Sequence, residues 1–98
     1  MSVWQGAAPS VDLLAVRITV EAFQLEELLE VLADAPFPIN PSIEHHTEMQ
    51  VNGRSVAAVL VTFPAWESQF AEVRLRLEER RLAAVVDAAP MLGTARVQ

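Results

Sequence analysis

Residues 42–63 read SIEHHTEMQVNGRSVAAVLVTF and hold the strongest structural signal in the chain. Asn52-Gly53 is the pair favoured in a two-residue type I′ turn, because both central residues of that turn have positive φ. Before the pair, residues 42–51 alternate in polarity as a half-exposed strand does. Ile43, Met49 and Val51 fall on one face, and the polar residues at even positions fall on the other. After it, residues 54–63 are apolar on both faces. The segment predicts an antiparallel hairpin of one half-polar edge strand and one buried central strand.

A strand and a helix flank this hairpin on each side. Residues 12–20 are rich in β-branched and apolar types and predict a strand, and the leucines of residues 22–34 recur at helical spacing. The same spacing from Pro64 to about Arg81 predicts a second helix, and residues 82–88 predict a last strand. The order β-α-β-β-α-β predicts an α+β ferredoxin-like domain. This is a two-layer sandwich with a four-stranded antiparallel sheet and two helices on one face.

The length of the chain limits it to one domain. Its 98 residues divide into a lead-in (1–10), a single ferredoxin-like domain (11–90) and a tail (91–98). Hydrophobic residues make up 52% of the chain and charged residues 20%, which is the composition of a globular protein. The absence of cysteine excludes disulfides and thiolate metal sites and fits a reducing cytoplasm.

Charge and hydropathy narrow the class of partner. The net charge of −6 argues against nucleic acid, because such binding needs a basic face to neutralise phosphates. No apolar stretch approaches the roughly 18 residues that span a bilayer, and the first residues are not a secretory signal. All positive charges are arginine, a codon bias typical of bacteria. We therefore expect a soluble, cytoplasmic bacterial protein without a nucleic-acid or membrane partner.

The sheet face away from the helices is the candidate interface. The tight turn, extended without a register shift, turns Ile43, Met49, Val56 and Leu60 towards the helices. The opposite face then carries Leu13, Ala15, Ala57, Val59, Val61 and Phe63. An uncovered apolar patch of this size usually marks an interface, so the pattern predicts a homo-oligomer. A terminal segment folded over the face is the alternative.

A metal site has weak candidates on the edge strand. Glu44, His46 and Glu48 share one face of a regular strand and carry side chains suited to a divalent metal. Such residues are more often the wet side of an edge strand, so we expect no metal and no cofactor. His45 and His46 point to opposite faces unless a bulge intervenes.

Catalytic residues are not predicted. No spacing forces two carboxylates together, no serine lies in a G-x-S-x-G context, and the glycines form no phosphate-binding loop. Arg17 and Asp87, expected on neighbouring strands of the uncovered face, predict an ordinary ion pair. The chain is therefore not expected to be an enzyme.

Two resemblances to known families accompany this pattern. Residues 16–61, with the Leu-rich helix and the run DAPFPIN at 34–40, resemble an ACT domain. Residues 63–67 (FPAWE), followed by 77–86 (LEERRLAAVV), resemble the first β-α-β unit of CutA and PII-like trimeric proteins, as though the halves were exchanged. Both resemblances imply a small cytoplasmic regulatory or ligand-binding oligomer.

Three functions stay open at this point. The first is a non-enzymatic regulatory domain that self-associates and senses a small molecule. The second is a protein–protein interaction module that uses the apolar sheet face or the edge strand 42–51. The third is an enzyme whose site forms only between subunits.

Overall fold

The chain forms two β-α-β units in one antiparallel sheet. A computed structural model describes residues 12–91, so the predicted lead-in and all of the predicted tail except Met91 lie outside the described residues. The elements in chain order are β1 (Leu13–Glu21), a 3-10 turn (Ala22–Gln24), α1 (Leu25–Ala33), β2 (Ser42–Val51), β3 (Arg54–Trp66), α2 (Glu67–Glu79) and β4 (Ala84–Pro90). The strand order is β2-β3-β1-β4, and the predicted ferredoxin-like fold is confirmed.

The hairpin turn forms as its sequence predicts. Asn52 has φ of 53° and Gly53 has φ of 79°, and Val51 pairs with Arg54 across the turn. Both residues tolerate this left-handed backbone, asparagine by hydrogen-bonding locally and glycine by lacking a Cβ.

Replacing Gly53 by Val should destabilise the domain by about 1–2 kcal/mol, because a β-branched side chain is strained at positive φ. A Cβ at this position would meet no atom within 4 Å, so the cost is one of backbone conformation and not of space. The control Gly53→Asn should lie close to the wild type in chemical denaturation. Equal stability of the Val and Asn variants would contradict the turn geometry.

A bulge in β2 shifts the register that the turn sets. Between the turn and Thr47 the strands keep the register that the turn sets, and Thr47 pairs with Ala58. Further from the turn the register has shifted by one residue, and Glu44 pairs with Leu60. His45 and His46 therefore oppose the one residue between those two partners, Val59, which is the two-against-one geometry of a β-bulge. Side chains on β2 change faces at this point relative to a regular strand.

The core lies between the sheet and the two helices. It is built from alternate residues of the central strands, which face the helix layer: Leu14, Val16, Ile18 and Val20 of β1 and Val59, Val61, Phe63 and Ala65 of β3. The helices contribute Leu28, Val31, Leu32, Val73 and Leu77. Arg80, just after α2, holds the two helices together through Glu27 (3.5 Å) and Glu30 (3.2 Å) of α1.

Pro64 was predicted to lie in the first turn of the second helix, but it lies in β3. A proline in a strand lacks a hydrogen-bond donor, so it is tolerated where one side of the strand is unpaired. β2 starts at Ser42 opposite Thr62, so β3 at Pro64 pairs only with β1. The helix begins later, at Glu67, where the Gln69 side-chain oxygen accepts a hydrogen bond from the Trp66 backbone N–H (3.0 Å).

Candidate interface and ligand groove

The sheet face opposite the helices, called the open face below, carries mostly small or apolar side chains, with one charged pair at its centre and the acidic residues Glu21 and Glu44 at its margins. Pairing aligns its side chains in three rows across β3, β1 and β4: Pro64–Ala15–Ala89, Thr62–Arg17–Asp87 and Leu60–Thr19–Val85. Val85 is 56% exposed, and Leu60 is half-buried. Within residues 12–91 neither helix covers this face.

The structure corrects most of the residues predicted for this face. Val59, Val61 and Phe63 are at most 3% exposed and pack against the helices. Ala57 is exposed, but on the same side of β3 as Val59. The physical reason is that the odd-numbered residues of β3 pair with the even-numbered residues of β1, whose large apolar side chains already face the helices.

Other parts of that face assignment are correct. Leu13 and Ala15 alternate with buried Leu14 and Val16 and so lie on the open face. For Leu60 the prediction was wrong, because this residue was expected to face the helices and lies on the open face instead. Whether this face is an interface stays a prediction.

The far end of the hairpin projects beyond the rest of the sheet. β1 ends at Glu21 opposite Ala58, so no other strand of the described chain lies beside residues 48–57, called the hairpin arm below. On the open-face side the arm carries Met49, Val51 and Val56, all half-buried. On its other side lie the exposed residues Glu48, Gln50, Ser55 and Ala57, where the Ser55 hydroxyl donates to Glu48 (2.7 Å). The apolar side of the arm therefore continues the open face.

Arg17 and Asp87 occupy the middle row of the open face. They are direct cross-strand partners, as predicted. No nitrogen–oxygen distance of 4 Å or less joins them in the described part of the chain, so the predicted ion pair is wrong. A cation and an anion thus lie side by side at the centre of the face, away from the acidic residues Glu21 and Glu44 at its margins.

A groove of about 390 Å³ lies on the other side of the sheet, between α2 and the edge strand β4. This α2 groove has an apolar floor made by Phe70, Leu77, Leu82, Ala84 and Val86. Two arginines, Arg74 and Arg81, line it together with Glu78. Arg74 lies over the Phe70 ring, 5.8 Å from its centroid. The volume is in the range of small-molecule sites.

Arg81 is placed at the groove by an unusual helix end. The Leu82 N–H donates to the Leu77 carbonyl (3.2 Å) and the Arg81 N–H to the Glu78 carbonyl (3.0 Å), which together make a Schellman motif. Its C′ residue is left-handed and is normally glycine, yet here it is Arg81 with φ of 54°. A non-glycine residue in this region costs about 1 kcal/mol. The groove was not predicted because the sequence placed Arg81 only at the end of the second helix. No glycine follows this helix directly, and the left-handed backbone that Arg81 adopts instead is visible only in the structure.

The bulge separates the weak metal candidates. Glu44 pairs with Leu60 and Glu48 with Ala57, and these partners lie on opposite faces of β3, so Glu44 and Glu48 cannot meet on one face. The bulge also places His45 and His46 on the same side of β2, whereas in a regular strand they would point to opposite faces. Among residues 12–91 no three acidic or histidine side chains gather closely enough to hold a metal ion.

The helices of the described range are too short or too polar to cross a membrane.

Comparison with known proteins supports the architecture. Neither a protein-family profile nor a curated protein sequence matches the chain. Among solved structures, the nitrogen regulatory PII-like protein CPII of Thiomonas intermedia K12, bound to ADP, AMP and bicarbonate, superposes with a TM-score of 0.70 at 14% identity. That match covers 81% of this chain and 89% of CPII.

Two further structures share the fold. A putative PII-like signalling protein of Thermus thermophilus has a TM-score of 0.62 at 18% identity, covering 83% of this chain and 87% of that one. CutA1 of Oryza sativa has a TM-score of 0.62 at 17% identity, covering 86% and 84%. The chain thus has the ferredoxin-like fold of PII-like and CutA proteins, and the predicted resemblance to them is confirmed at the level of fold.

Proposed function

We propose that this protein is a small regulatory domain that self-associates through the open face and responds to a small molecule. The observation that carries the proposal is the one-sided hairpin arm. Two-stranded ribbons are marginal alone in water, and both sides of this arm lie beyond the helix layer. Its large apolar side chains, Met49, Val51 and Val56, nevertheless fall on one side only, in line with the open face. A surface patterned in this way fits a partner on that side.

A second copy of this chain is the partner that the charges favour. Arg17 and Asp87 are adjacent, and neither forms an ion pair within residues 12–91 of one copy, so two copies facing each other about a two-fold axis can place each arginine against the other copy's aspartate. Such complementarity fixes register more than it adds affinity. Small residues at Ala15 and Ala89 leave room for close approach of the two sheets.

The regulatory part of the proposal is supported by the fold neighbours. CPII is a nitrogen regulatory protein bound to nucleotides and bicarbonate, and the Thermus protein is described as signalling. Fold alone does not determine function, so the ligand of this chain has to be argued from its own residues.

The experiment is a native mass spectrum of the protein as purified from its expression host. We expect multiples of the 10.8 kDa chain, with retained small molecules visible as discrete mass increments. A monomer at high micromolar concentration would contradict self-association. It would favour the alternative of an interaction module that presents the open face to a different protein.

A further inference from the structure

We propose that the α2 groove binds a small amphipathic anion, with its apolar body on the groove floor and its anionic group between Arg74 and Arg81. The proposal deepens the regulatory role above by naming the class of ligand, and it rests on that role only in treating the ligand as an effector. The groove lies on the helix side of β4, away from the open face, so binding and self-association can be tested separately.

The charges of the groove favour an anion. Neither Arg74 nor Arg81 forms an ion pair in the described part of the chain, whereas Arg76 and Arg80 are both paired with glutamates. Glu78 contributes one carboxylate to the lining, so the groove carries one net positive charge in a protein of net charge −6. A guanidinium pair that is free of carboxylates can bind a carboxylate or phosphate bidentately.

The backbone at Arg81 provides an independent indication. Stability favours glycine at this helix end, but the chain keeps a long cationic side chain there in the left-handed conformation. Strain of this kind is found at binding sites, where it positions a side chain. Here it places Arg81 in the lining of the groove that Arg74 also lines.

The floor of the groove indicates that the part of the ligand outside its anionic group is apolar. Phe70, Leu77, Leu82 and Val86 present carbon surface, with Arg74 stacked over the Phe70 ring. An apolar chain or a planar ring that covers this carbon surface removes it from water, which is favourable. An inorganic anion would leave this floor wet.

The probe is 8-anilino-1-naphthalenesulfonate, which carries one sulfonate on an aromatic body and fluoresces when it leaves water. We expect saturable binding to the wild-type protein. Arg81→Gly and Arg74→Ala should each weaken binding by about tenfold or more, the effect of losing a charged hydrogen bond. Arg54→Ala, which removes an exposed arginine from the arm, should change the affinity by less than about twofold, as expected for a distant site.

Arg81→Gly separates a binding role from a structural one. Since glycine suits the left-handed position better, the variant should melt at a temperature at least as high as the wild type and still bind the probe poorly. Its oligomeric mass should equal that of the wild type, so a failure of self-association would be recognised separately. A variant that binds the probe like the wild type would overturn the proposal.

Two further arms define the site and the ligand. Loss of probe binding in Arg17→Ala, with Arg81→Gly unaffected, would place the probe on the open face and overturn the groove assignment. Decanoate or decyl phosphate should displace the probe, and the stronger competitor distinguishes a carboxylate from a phosphate ligand. Complete displacement by inorganic phosphate alone would overturn the amphipathic class.

Discussion

Replacing Val59 by Asp should unfold the domain or leave it at the margin of stability. Val59 is 2% exposed and lies in the core between β3 and the helix layer. An aspartate there loses the packed valine and buries a carboxylate without a partner, at a cost of about 4–5 kcal/mol. Small domains have about 5–15 kcal/mol in total, so most or all of the stability is lost. Circular dichroism with urea titration measures the effect.

The control for this prediction is Val59→Ala, which removes two methyl groups and adds no charge. It should cost about 2 kcal/mol and leave the fold intact. A Val59→Asp variant that is smaller in mass but as stable as the wild type would contradict the structure, because it would mean that residue 59 faces a subunit interface and not the helices.

Replacing the next residue, Leu60, by Asp should have the opposite outcome. Leu60 is half-buried on the open face and lies away from the helix-side core. In a symmetric assembly through that face each copy would bury one unpaired carboxylate, which costs several kcal/mol per interface. The variant should therefore be a folded monomer, with the mass from light scattering reduced to that of one chain and circular dichroism unchanged.

The matched control is Leu75→Asp. Leu75 is a comparably large side chain, 51% exposed on α2, and it does not contribute to the open face. This variant should keep the wild-type mass and stability. An equal loss of assembly in both variants would indicate a general effect of added charge, and an assembly that survives Leu60→Asp would contradict the open-face interface.

Much of the fold could be predicted from local sequence. The Asn52-Gly53 turn, the leucine spacing of α1 and the alternation of β2 are each determined by the conformations that a few neighbouring residues can adopt. The ends of the strands and helices were predicted less accurately. Pro64 was taken as a helix start, because a proline at a strand end and one at the first turn of a helix look alike in sequence.

The sequence does not determine which face of β3 packs against the helices. The strand is apolar on both sides, so its own pattern does not choose between Val59 and Leu60. The choice was transferred from β2, where Ile43 and Met49 were both taken to face the helices, but the bulge at His45-His46 separates them and leaves Met49 and its partner Val56 on the open-face side. Aligning the polar residues of β3 with those of β1 would have identified the exposed side, since Thr62 lies opposite Arg17 on the open face. The α2 groove depends on a backbone conformation at Arg81 that sequence alone does not display.

Thiol labelling tests the central claim, that the open face is a subunit interface, most directly. The chain contains no cysteine, so Val85→Cys and Leu75→Cys each introduce a single thiol. In one copy these positions are similarly exposed, 56% for Val85 on the open face and 51% for Leu75 on α2. We expect a maleimide to label Leu75→Cys rapidly at every concentration. Val85→Cys should be labelled slowly at high protein concentration and faster on dilution, as the assembly dissociates. Equal and rapid labelling of both at high micromolar concentration, or protection of Val85→Cys that does not change on dilution, would contradict assembly through this face.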